Sequence, residues 1–244
     1  MSTSLPDGRT PCAIVGAGGH GRVVLDILRA ARQYRVVAFL DSNPGLHGRR
    51  MDGVPILGDL RALPRLAAQG VNSVVVAIGD NGVRRAFAEE IDCAGLHLLN
   101  AIHPTAHLAS NVSLGHNVVV AAGALVCAHC QIGDSVILNT GSIVDHESMI
   151  GTAAHICPGA RLAGRVTVEA GAFIGIGATV LQSLRIGCEA VVGGGAVVIC
   201  DVEPMTTVVG VPARPVPLAA GQESLAELFT PSFAHTPIPS GRDL

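Results

Sequence analysis

One short segment of this chain gathers side chains that could move a proton. Residues 139–147 read Asn-Thr-Gly-Ser-Ile-Val-Asp-His-Glu, and a second histidine, His155, follows nine positions after His146. An imidazole titrates near neutral pH, so it can take the proton that an amine or hydroxyl loses when it attacks a carbonyl. The segment therefore predicts general-base chemistry at His146, with a solvated surface histidine as the alternative.

The segment lies within a long run in which every sixth residue is aliphatic. Seventeen such residues follow one another from Ile102 to Val198 without an insertion. An α-helix has 3.6 residues per turn and a strand alternates with a period of 2, so neither gives this spacing. A hexapeptide β-helix does, because each hexad supplies one short strand and one corner. The pattern resembles the left-handed parallel β-helix of hexapeptide acyltransferases, in which three hexads make one triangular coil.

Two other positions of the hexad agree with this architecture. The fourth residue after the aliphatic one is small or slender, as a narrow interior requires, at Ala106, Val112, Val118, Ala124, Cys130, Val136, Ser142, Ser148, Ala154 and Ala160. Glycine directly follows the aliphatic residue at Gly115, Gly133, Gly151, Gly175, Gly187 and Gly193. We expect these glycines at corners whose backbone angles a Cβ disfavours.

In such a coil, Ala128 and Gly164 stack on either side of His146, because each is eighteen residues away. Both neighbours are small, so we expect the histidine to face open space. Gly164 would leave a gap that a thioester could enter, and its backbone N–H could face a developing oxyanion. Asn139 and His155 are expected within reach of His146 across neighbouring hexads.

The residues before the repeat predict an α/β domain. A strand at 12–15 leads into Gly-Ala-Gly-Gly-His-Gly at 16–21, and a helix is expected over 22–32. A second strand, 35–40, ends at Asp41, where an acidic residue would meet a ribose hydroxyl. The spacing of Gly16, Gly18 and Gly21 matches a dinucleotide fingerprint, in which the backbone approaches phosphates at a helix N-terminus. A plain tight turn is the alternative.

This domain is too short for a complete dinucleotide enzyme. About 100 residues are enough for one mononucleotide-binding half, not for the paired halves that hold NAD. Further strands are predicted at 73–78 and 96–100, and helices at 60–69 and 83–91. The crevice at the carboxyl ends of the strands is the expected nucleotide site, lined by Gly18, Gly19, His20, Asp41, Ser42 and Gly79.

Composition excludes several classes of protein. The net charge of −3 gives no electrostatic reason to expect nucleic acid. The apolar fraction is 49%, but it is dispersed, and no stretch of about 20 apolar residues predicts membrane insertion. The N-terminus has no apolar signal core, and seven scattered cysteines suit a reducing cytoplasm. Cys127 and Cys130 are interpreted as small fillers rather than metal ligands, and no metal is expected.

A series of motifs occurs in order between about Cys12 and Arg214. They are Gly16–Gly21, Phe39–Asn43, Ala77–Asn81, Leu138–Glu147, His155, Ala163-Gly164, Gly193–Gly195 and Gly210–Arg214. Together they resemble the bacterial sugar acetyltransferases, a family that comprises sialic acid O-acetyltransferases and nucleotide-linked 4-amino-sugar N-acetyltransferases. Ser42 departs from the pattern, because relatives with a UDP-sugar acceptor often carry a second acid after Asp41.

The resemblance implies a role for each candidate residue. His146 would be the general base and Glu147 would raise its basicity, with no covalent acyl-enzyme. The acceptor sugar nucleotide would contact Gly18, Gly19, His20, Asp41, Ser42, Gly79 and Asn139. Acetyl-CoA would contact His155, Gly164, Gly175, Ile176, Gly194 and Arg214. Related enzymes form homotrimers with active sites between adjacent prisms.

These observations predict an α/β Rossmann-like domain over residues 1–100, followed by an all-β left-handed β-helix over 101–214. Residues 215–244 would form a tail with one short helix and a disordered end. The expected activity is acetyl-CoA-dependent N-acetylation of a nucleotide-linked 4-amino sugar. Two alternatives remain: O-acetylation of sialic acid or another sugar hydroxyl, and a non-catalytic trimeric nucleotide-binding scaffold.

Overall fold

The computed structural model describes residues 8–216. The prediction of a helix and a disordered end for the tail falls on residues 217–244, outside the described part of the chain. Within the described residues no helix is long and apolar enough to cross a bilayer. Residues up to Leu98 form an α/β unit, and a solenoid of two-residue strands begins at Ala101.

The N-terminal unit is a four-stranded parallel sheet with the strand order β2-β1-β5-β6. Its strands are β1 (Thr10–Val15), β2 (Tyr34–Leu40), β5 (Ser73–Val76) and β6 (His97–Leu98), and a small hairpin pairs β3 (Arg50–Met51) with β4 (Val54–Pro55). Its helices are α1 (Gly19–Ala31), α2 (Leu63–Ala68) and α3 (Asn81–Cys93). The predicted order of strands and helices is confirmed. Helix α1 begins three residues earlier than expected, so part of the glycine loop is its first turn.

The solenoid has three parallel sheets, here called the first, second and third faces. The first face contains β7 (Ala101–Ile102), β10 (Val119–Val120), β13 (Ile137–Leu138), β16 (His155–Ile156), β19 (Phe173–Ile174), β22 (Val191–Val192), β24 (Thr207–Val209) and the antiparallel β25 (Arg214–Pro215). The second contains β8 (His107–Leu108), β11 (Leu125–Val126), β14 (Ile143–Val144), β17 (Arg161–Leu162), β20 (Thr179–Val180) and β23 (Val197–Val198). The third contains β9 (Ser113–Leu114), β12 (Gln131–Ile132), β15 (Met149–Ile150), β18 (Thr167–Val168) and β21 (Arg185–Ile186).

The strand register confirms the predicted coil. Val119 pairs with Ile137, and Ile137 pairs with His155, so neighbouring strands of one face are eighteen residues apart. The aliphatic residue of each hexad points inward and forms one continuous core with the small residue four places on. Only the last coil departs from this spacing, because Val192 pairs with Val208 sixteen residues away.

The structure corrects the reason for the glycines that follow the aliphatic residue. The corner residue with positive φ is two positions later, for example Asn117 at 57° after Gly115 and Ala153 at 58° after Gly151. The earlier glycines are needed because the next coil passes too close. A Cβ on Gly151 would lie 2.6 Å from the backbone nitrogen of Ala170, and one on Gly175 would lie 2.6 Å from that of Gly194. Close approach between coils, rather than a strained backbone, selects glycine there.

The N-terminal unit packs on the first face of the solenoid. Outward side chains of this face, Ala101, Val119 and Ile137, join the core cluster that contains Val24 and Leu28 of α1. A second cluster fills the other side of the small sheet. The first face is thereby covered, and the opposite edge of the prism is left free of the N-terminal unit.

Candidate active site

His146 lies at the edge between the second and third faces, in the corner that joins β14 to β15. Its Nδ1 atom is 3.0 Å from Oε2 of Glu147. Glu147 occupies the positive-φ corner position, which turns its side chain back towards the imidazole. The His146 amide donates to Oδ1 of Asp145 at 2.7 Å, and this bond lowers the pKa of the Asp145 carboxyl. The corner thus presents an exposed histidine with a carboxylate on one ring nitrogen.

The ring of His146 lies against Gly164, as the stacking predicts. A Cβ on Gly164 would be 2.5 Å from both Cε1 and Nε2 of the imidazole. The predicted gap is therefore partly filled by the histidine itself. Within the described residues the amide N–H of Gly164 has no hydrogen-bond acceptor, whereas the next amide, of Arg165, donates to His146 O at 2.8 Å.

Arg165 was not anticipated from the sequence. Its Nη1 atom is 3.9 Å from Oε2 of Glu147, and its Nε donates to Oγ of Ser183 at 3.3 Å. Glu147, Arg165 and Ser183 form one row, eighteen residues apart, on the same edge of the prism. The spacing could have revealed the row, because it follows directly from the coil length.

Asn139 and His155 are brought together, but not with His146. Asn139 Nδ2 lies 3.1 Å from Nε2 of His155. His155 points outward from the first face and is buried beneath the N-terminal unit, edge-on to Phe173 at a centroid distance of 5.3 Å. Burial, followed by the charge of Arg84, holds the pKa of His155 well below its ordinary value. His155 is therefore neutral at physiological pH.

The topology of the solenoid explains why Asn139 and His155 lie away from His146. Asn139 lies on the edge between the first and second faces, whereas His146 lies on the edge between the second and third. That edge is opposite the first face, which the N-terminal unit covers. One chain therefore presents the histidine–carboxylate pair and the N-terminal crevice on opposite sides of its prism.

The glycine loop, residues 16–21, contains two glycines that packing requires and two that have open space around them. A Cβ on Gly16 would be 2.7 Å from Ala77 O, and one on Gly21 would collide with Gly16 O, so both glycines are needed for packing. Gly18 and Gly19 are exposed and have open space around them. They begin α1, whose first turn carries no acidic side chain. Such a helix N-terminus offers free amides and a positive dipole to an anion.

Asp41 has a structural task that the sequence did not indicate. Its Oδ2 accepts from the Ala17 amide at 2.7 Å and its Oδ1 accepts from the Asn43 amide at 2.9 Å. The carboxylate thus ties the glycine loop to the end of β2. Exposed Ser42 lies beside it and lines a cavity of about 210 Å³. Asp41 lines the same cavity, and the remaining walls come from Val15, Leu40, Asp59, Leu60, Arg61, Phe87 and Glu90.

His20 and Gly79 lie at the other end of the carboxyl edge, near the solenoid. The His20 ring is 6.5 Å from that of His155, and its buried Nε2 atom has no hydrogen-bond partner in the described chain. Burial and the charge of Arg84 lower the pKa of His20 to about 4. The carbonyl of Gly79 accepts from Arg84 Nη1 at 3.1 Å. Arg84 is a second residue that sequence reasoning missed, because nothing local distinguishes it from half-buried Arg85.

The other predicted acetyl-CoA contacts lie along the edge between the first and second faces. Ile176 is 64% exposed there, and a Cβ on Gly194 would be 3.1 Å from its Cγ2 atom. Gly175 is buried in the same corner. Arg214, on β25, is exposed and donates to Ala213 O at 2.9 Å. Among residues 8–216, no three His, Cys, Asp or Glu side chains are grouped as a metal site would require.

Known proteins share both parts of this architecture. Residues 12–91 match the model of the PglD N-terminal domain family. A UDP-N-acetylbacillosamine N-acetyltransferase of Bacillus subtilis (strain 168) is 33% identical over 113 residues, which are 45% of this chain. The match spans only half of that relative's length.

Two solved structures match nearly the whole described chain. PerB from Caulobacter crescentus, in complex with CoA and GDP-perosamine, is 41% identical with a TM-score of 0.81, covering 85% of this chain and 97% of its own. The acetyltransferase domain of PglB from Neisseria gonorrhoeae, in complex with acetyl coenzyme A, is 36% identical with a TM-score of 0.81. That match covers 86% of this chain and 100% of the domain. With its small Rossmann-like sheet and left-handed parallel β-helix, this chain belongs to the hexapeptide-repeat family of bacterial sugar acetyltransferases.

Proposed function

We propose that this protein transfers acetyl from acetyl-CoA to the amino group of a nucleotide-linked 4-amino sugar, with His146 as the general base. The observation that carries the proposal is the exposed His146–Glu147 pair, 3.0 Å apart, whose imidazole lies against Gly164. Among residues 8–216 the Gly164 amide has no hydrogen-bond acceptor. Its support from relatives is the 41% identity with PerB, whose structure contains CoA and GDP-perosamine.

The geometry suits direct attack of the amine on the thioester. Glu147 accepts a hydrogen bond from the Nδ1–H group of His146, so Nε2 of the imidazole keeps its lone pair. That nitrogen can then take a proton from the attacking amine. The C–N bond forms, and the tetrahedral intermediate then expels the thiolate of CoA. The proton held by His146 neutralises that thiolate, so the histidine returns to its starting form. The N–H of Gly164, which no acceptor in the described part of the chain occupies, is available to the oxyanion of the intermediate.

The N-terminal unit would hold the acceptor through its nucleotide. The amides of Gly18 and Gly19 begin a thirteen-residue helix and are open to a diphosphate. The cavity beside Ser42 would take the nucleoside. Asp41 can still contribute to it, because each carboxylate oxygen accepts only one hydrogen bond from the backbone.

A homotrimer would complete the site. The residues proposed for acetyl-CoA are divided between two edges, with Gly164 on one and Ile176 and Gly194 on another. The crevice for the acceptor lies on the side opposite His146. A neighbouring copy that places its His146 edge beside this crevice would supply the missing half. The prediction is therefore that a monomer is inactive.

The deciding experiment is a substrate panel with the purified full-length protein. UDP-, GDP- and dTDP-linked 4-amino sugars and free sialic acid are each incubated with acetyl-CoA, and CoA release is measured with the mass of the product. We expect one nucleotide-linked amino sugar to be N-acetylated, and His146→Ala to lose the activity. Acetylation of free sialic acid would replace the proposal with O-acetyl transfer, and no transfer to any acceptor would favour a scaffold.

A further inference from the structure

The edge between the third and first faces presents a row of carbonyl groups to the N-terminal unit. Ser135, Ala153 and Gly171 are spaced by eighteen residues along it, each with a positive φ. Arg84 donates from Nε to Ser135 O and from Nη2 to Ala153 O, both at 2.7 Å. Asn81 Nδ2 donates to Gly171 O at 2.8 Å. Two side chains of α3 thus bind three successive coils; we call these three bonds the carbonyl ladder.

The remaining N–H groups of Arg84 hold the loop that follows β5. Nη1 donates to Ile78 O at 2.9 Å and to Gly79 O at 3.1 Å. Nη2 also donates to Asn81 Oδ1 at 2.9 Å, which orients that carboxamide towards Gly171. All five guanidinium N–H groups therefore have acceptors, and none remains for a ligand. Arg84 can influence a substrate only through the backbone that it holds.

Arg84 is fully buried, although its acceptors are carbonyl and carboxamide oxygens rather than a carboxylate. Burial lowers its pKa to about 10, which leaves the guanidinium charged at neutral pH. A buried cation of this kind is costly to desolvate. The planar fork of arginine fixes several acceptors at defined angles, which lysine cannot do. The geometry of the five bonds, not the charge alone, distinguishes this residue.

The loop held by Arg84 belongs to the crevice. The Ala77 amide donates to Val15 O at 2.7 Å, and Gly16 approaches Ala77 so closely that a Cβ would be 2.7 Å from its oxygen. The loops after β1 and β5 are thus in direct contact. β1 and β5 are neighbours in the sheet order β2-β1-β5-β6, and the chain runs outwards in opposite directions from them. Open α/β sheets bind ligands at such a switch point.

We propose that Arg84, with Asn81, is a positioning residue for the acceptor. By joining the loop 78–80 to the carbonyl ladder, it sets the place of the glycine loop relative to the solenoid and hence to the acetyl group. This inference rests on the proposed function, because that function assigns the acceptor to the crevice. Affinity for the nucleotide sugar should depend on the ladder, whereas affinity for acetyl-CoA, bound by the solenoid, should not.

The test compares Arg84→Lys and Asn81→Ala with Arg85→Lys. Arg85 is the matched control, because it is the next residue of α3, is half-buried, and forms an ion pair with Glu189 at 3.7 Å instead of binding backbone carbonyls. We expect Arg84→Lys to raise KM for the nucleotide sugar about 10-fold or more, and Asn81→Ala about threefold, as the loss of charged and neutral hydrogen bonds implies. KM for acetyl-CoA should stay within about twofold in all three variants.

Hydrogen exchange supplies a measurement that does not need an active enzyme. Amides of residues 77–83 and of the first turn of α1 should exchange faster in Arg84→Lys and Asn81→Ala, with the solenoid unchanged. If no sugar is acetylated even by the wild type, the proposed function fails and exchange alone decides whether the ladder holds the loop. Wild-type exchange in these variants, or equal increases in both KM values, would overturn the inference. If Arg84→Lys does not fold, Asn81→Ala carries the same comparison.

Discussion

The imidazole of His146 lies against the Cα atom of Gly164, one coil further along the solenoid. The contact is so close that a methyl group on Gly164 would be 2.5 Å from Cε1 and Nε2 of the ring. On the other side of the ring, Glu147 Oε2 contacts Nδ1 at 3.0 Å. The two neighbours restrain the histidine from opposite ends, and each restraint can be removed separately.

Gly164→Ala should displace the imidazole and lower kcat by about 10²-fold, because a shift of about 1 Å in a catalytic group can cost that much. The inward core of Leu162 and Val180 is untouched, so the melting temperature should stay close to that of the wild type. The double variant Gly164→Ala/His146→Ala should be no slower than His146→Ala alone. Additive losses would show that Gly164 acts independently of the histidine.

His146→Ala should lower kcat by about 10²- to 10⁴-fold, the usual contribution of a positioned general base. Glu147→Gln keeps a hydrogen-bond acceptor at Nδ1 but removes the charge, so its loss should be smaller, about 10-fold. Both are measured under saturating acetyl-CoA, and calorimetry should show unchanged acetyl-CoA binding. A His146→Ala variant as active as the wild type would remove this histidine from the mechanism.

Gly19→Asp should weaken nucleotide-sugar binding far more than acetyl-CoA binding, because it puts a carboxylate where a diphosphate would meet the first amides of α1. Val23→Asp is the matched control. It adds the same charge to the same helix, at an exposed position one turn later. Separate calorimetric titrations with the nucleotide sugar and with acetyl-CoA measure both affinities in each variant. Equal nucleotide-sugar affinities in the two variants would show that the glycine loop is only a turn and does not bind the diphosphate.

The free energy of unfolding should decrease as the pH falls from about 6.5 towards about 4. His20 and His155 both have lowered pKa values in the folded protein, His20 near 4, because burial and the Arg84 charge oppose protonation. In the unfolded chain they titrate near 6.5, so that state binds more protons below this pH and is favoured. Above about 6.5 neither state is protonated and the effect vanishes. Urea unfolding at pH 7.5 and 5 measures the difference.

His155→Gln should reduce the pH dependence of the free energy of unfolding, because glutamine keeps a polar group for Asn139 and cannot titrate. His97→Gln is a suitable control, since His97 is exposed. Identical losses of stability between pH 7.5 and 5 in the wild type and in His155→Gln would contradict the assignment.

Gly151→Ala should lower the melting temperature more than Gly141→Ala. The first substitution drives a Cβ to 2.6 Å from Ala170 N in the next coil. At Gly141 the space is open and only the positive φ of 63° opposes alanine, a cost of about 1–2 kcal/mol. Thermal unfolding followed by circular dichroism compares the two. The reverse order would mean that backbone conformation, not contact between coils, dominates at these corners.

Much of the solenoid could be predicted because its structure repeats. The aliphatic residue of each hexad predicts an inward-pointing side chain, and the coil length of eighteen residues then places residues eighteen apart next to one another. The coil length alone pairs His146 with Gly164. The strand, glycine loop and helix of the N-terminal unit could also be predicted, because the glycines stand directly between a buried-strand pattern and a helical run. The contact that requires Gly21 is local, since a Cβ there would collide with Gly16 O, whereas the contact of Gly16 with Ala77 is visible only in the structure.

Only the tertiary structure decided which face of the prism the N-terminal unit covers. Nothing in the periodicity distinguishes the first face from the other two, since all three present the same inward pattern. The choice depends on how the outward side chains Val119 and Ile137 pack against α1, far away in sequence. It buries His155, leaves Asn139 half-buried beside it, and leaves His146 on the opposite edge. Arg84 was hidden for the same reason, because its acceptors Ser135 and Ala153 come from distant coils.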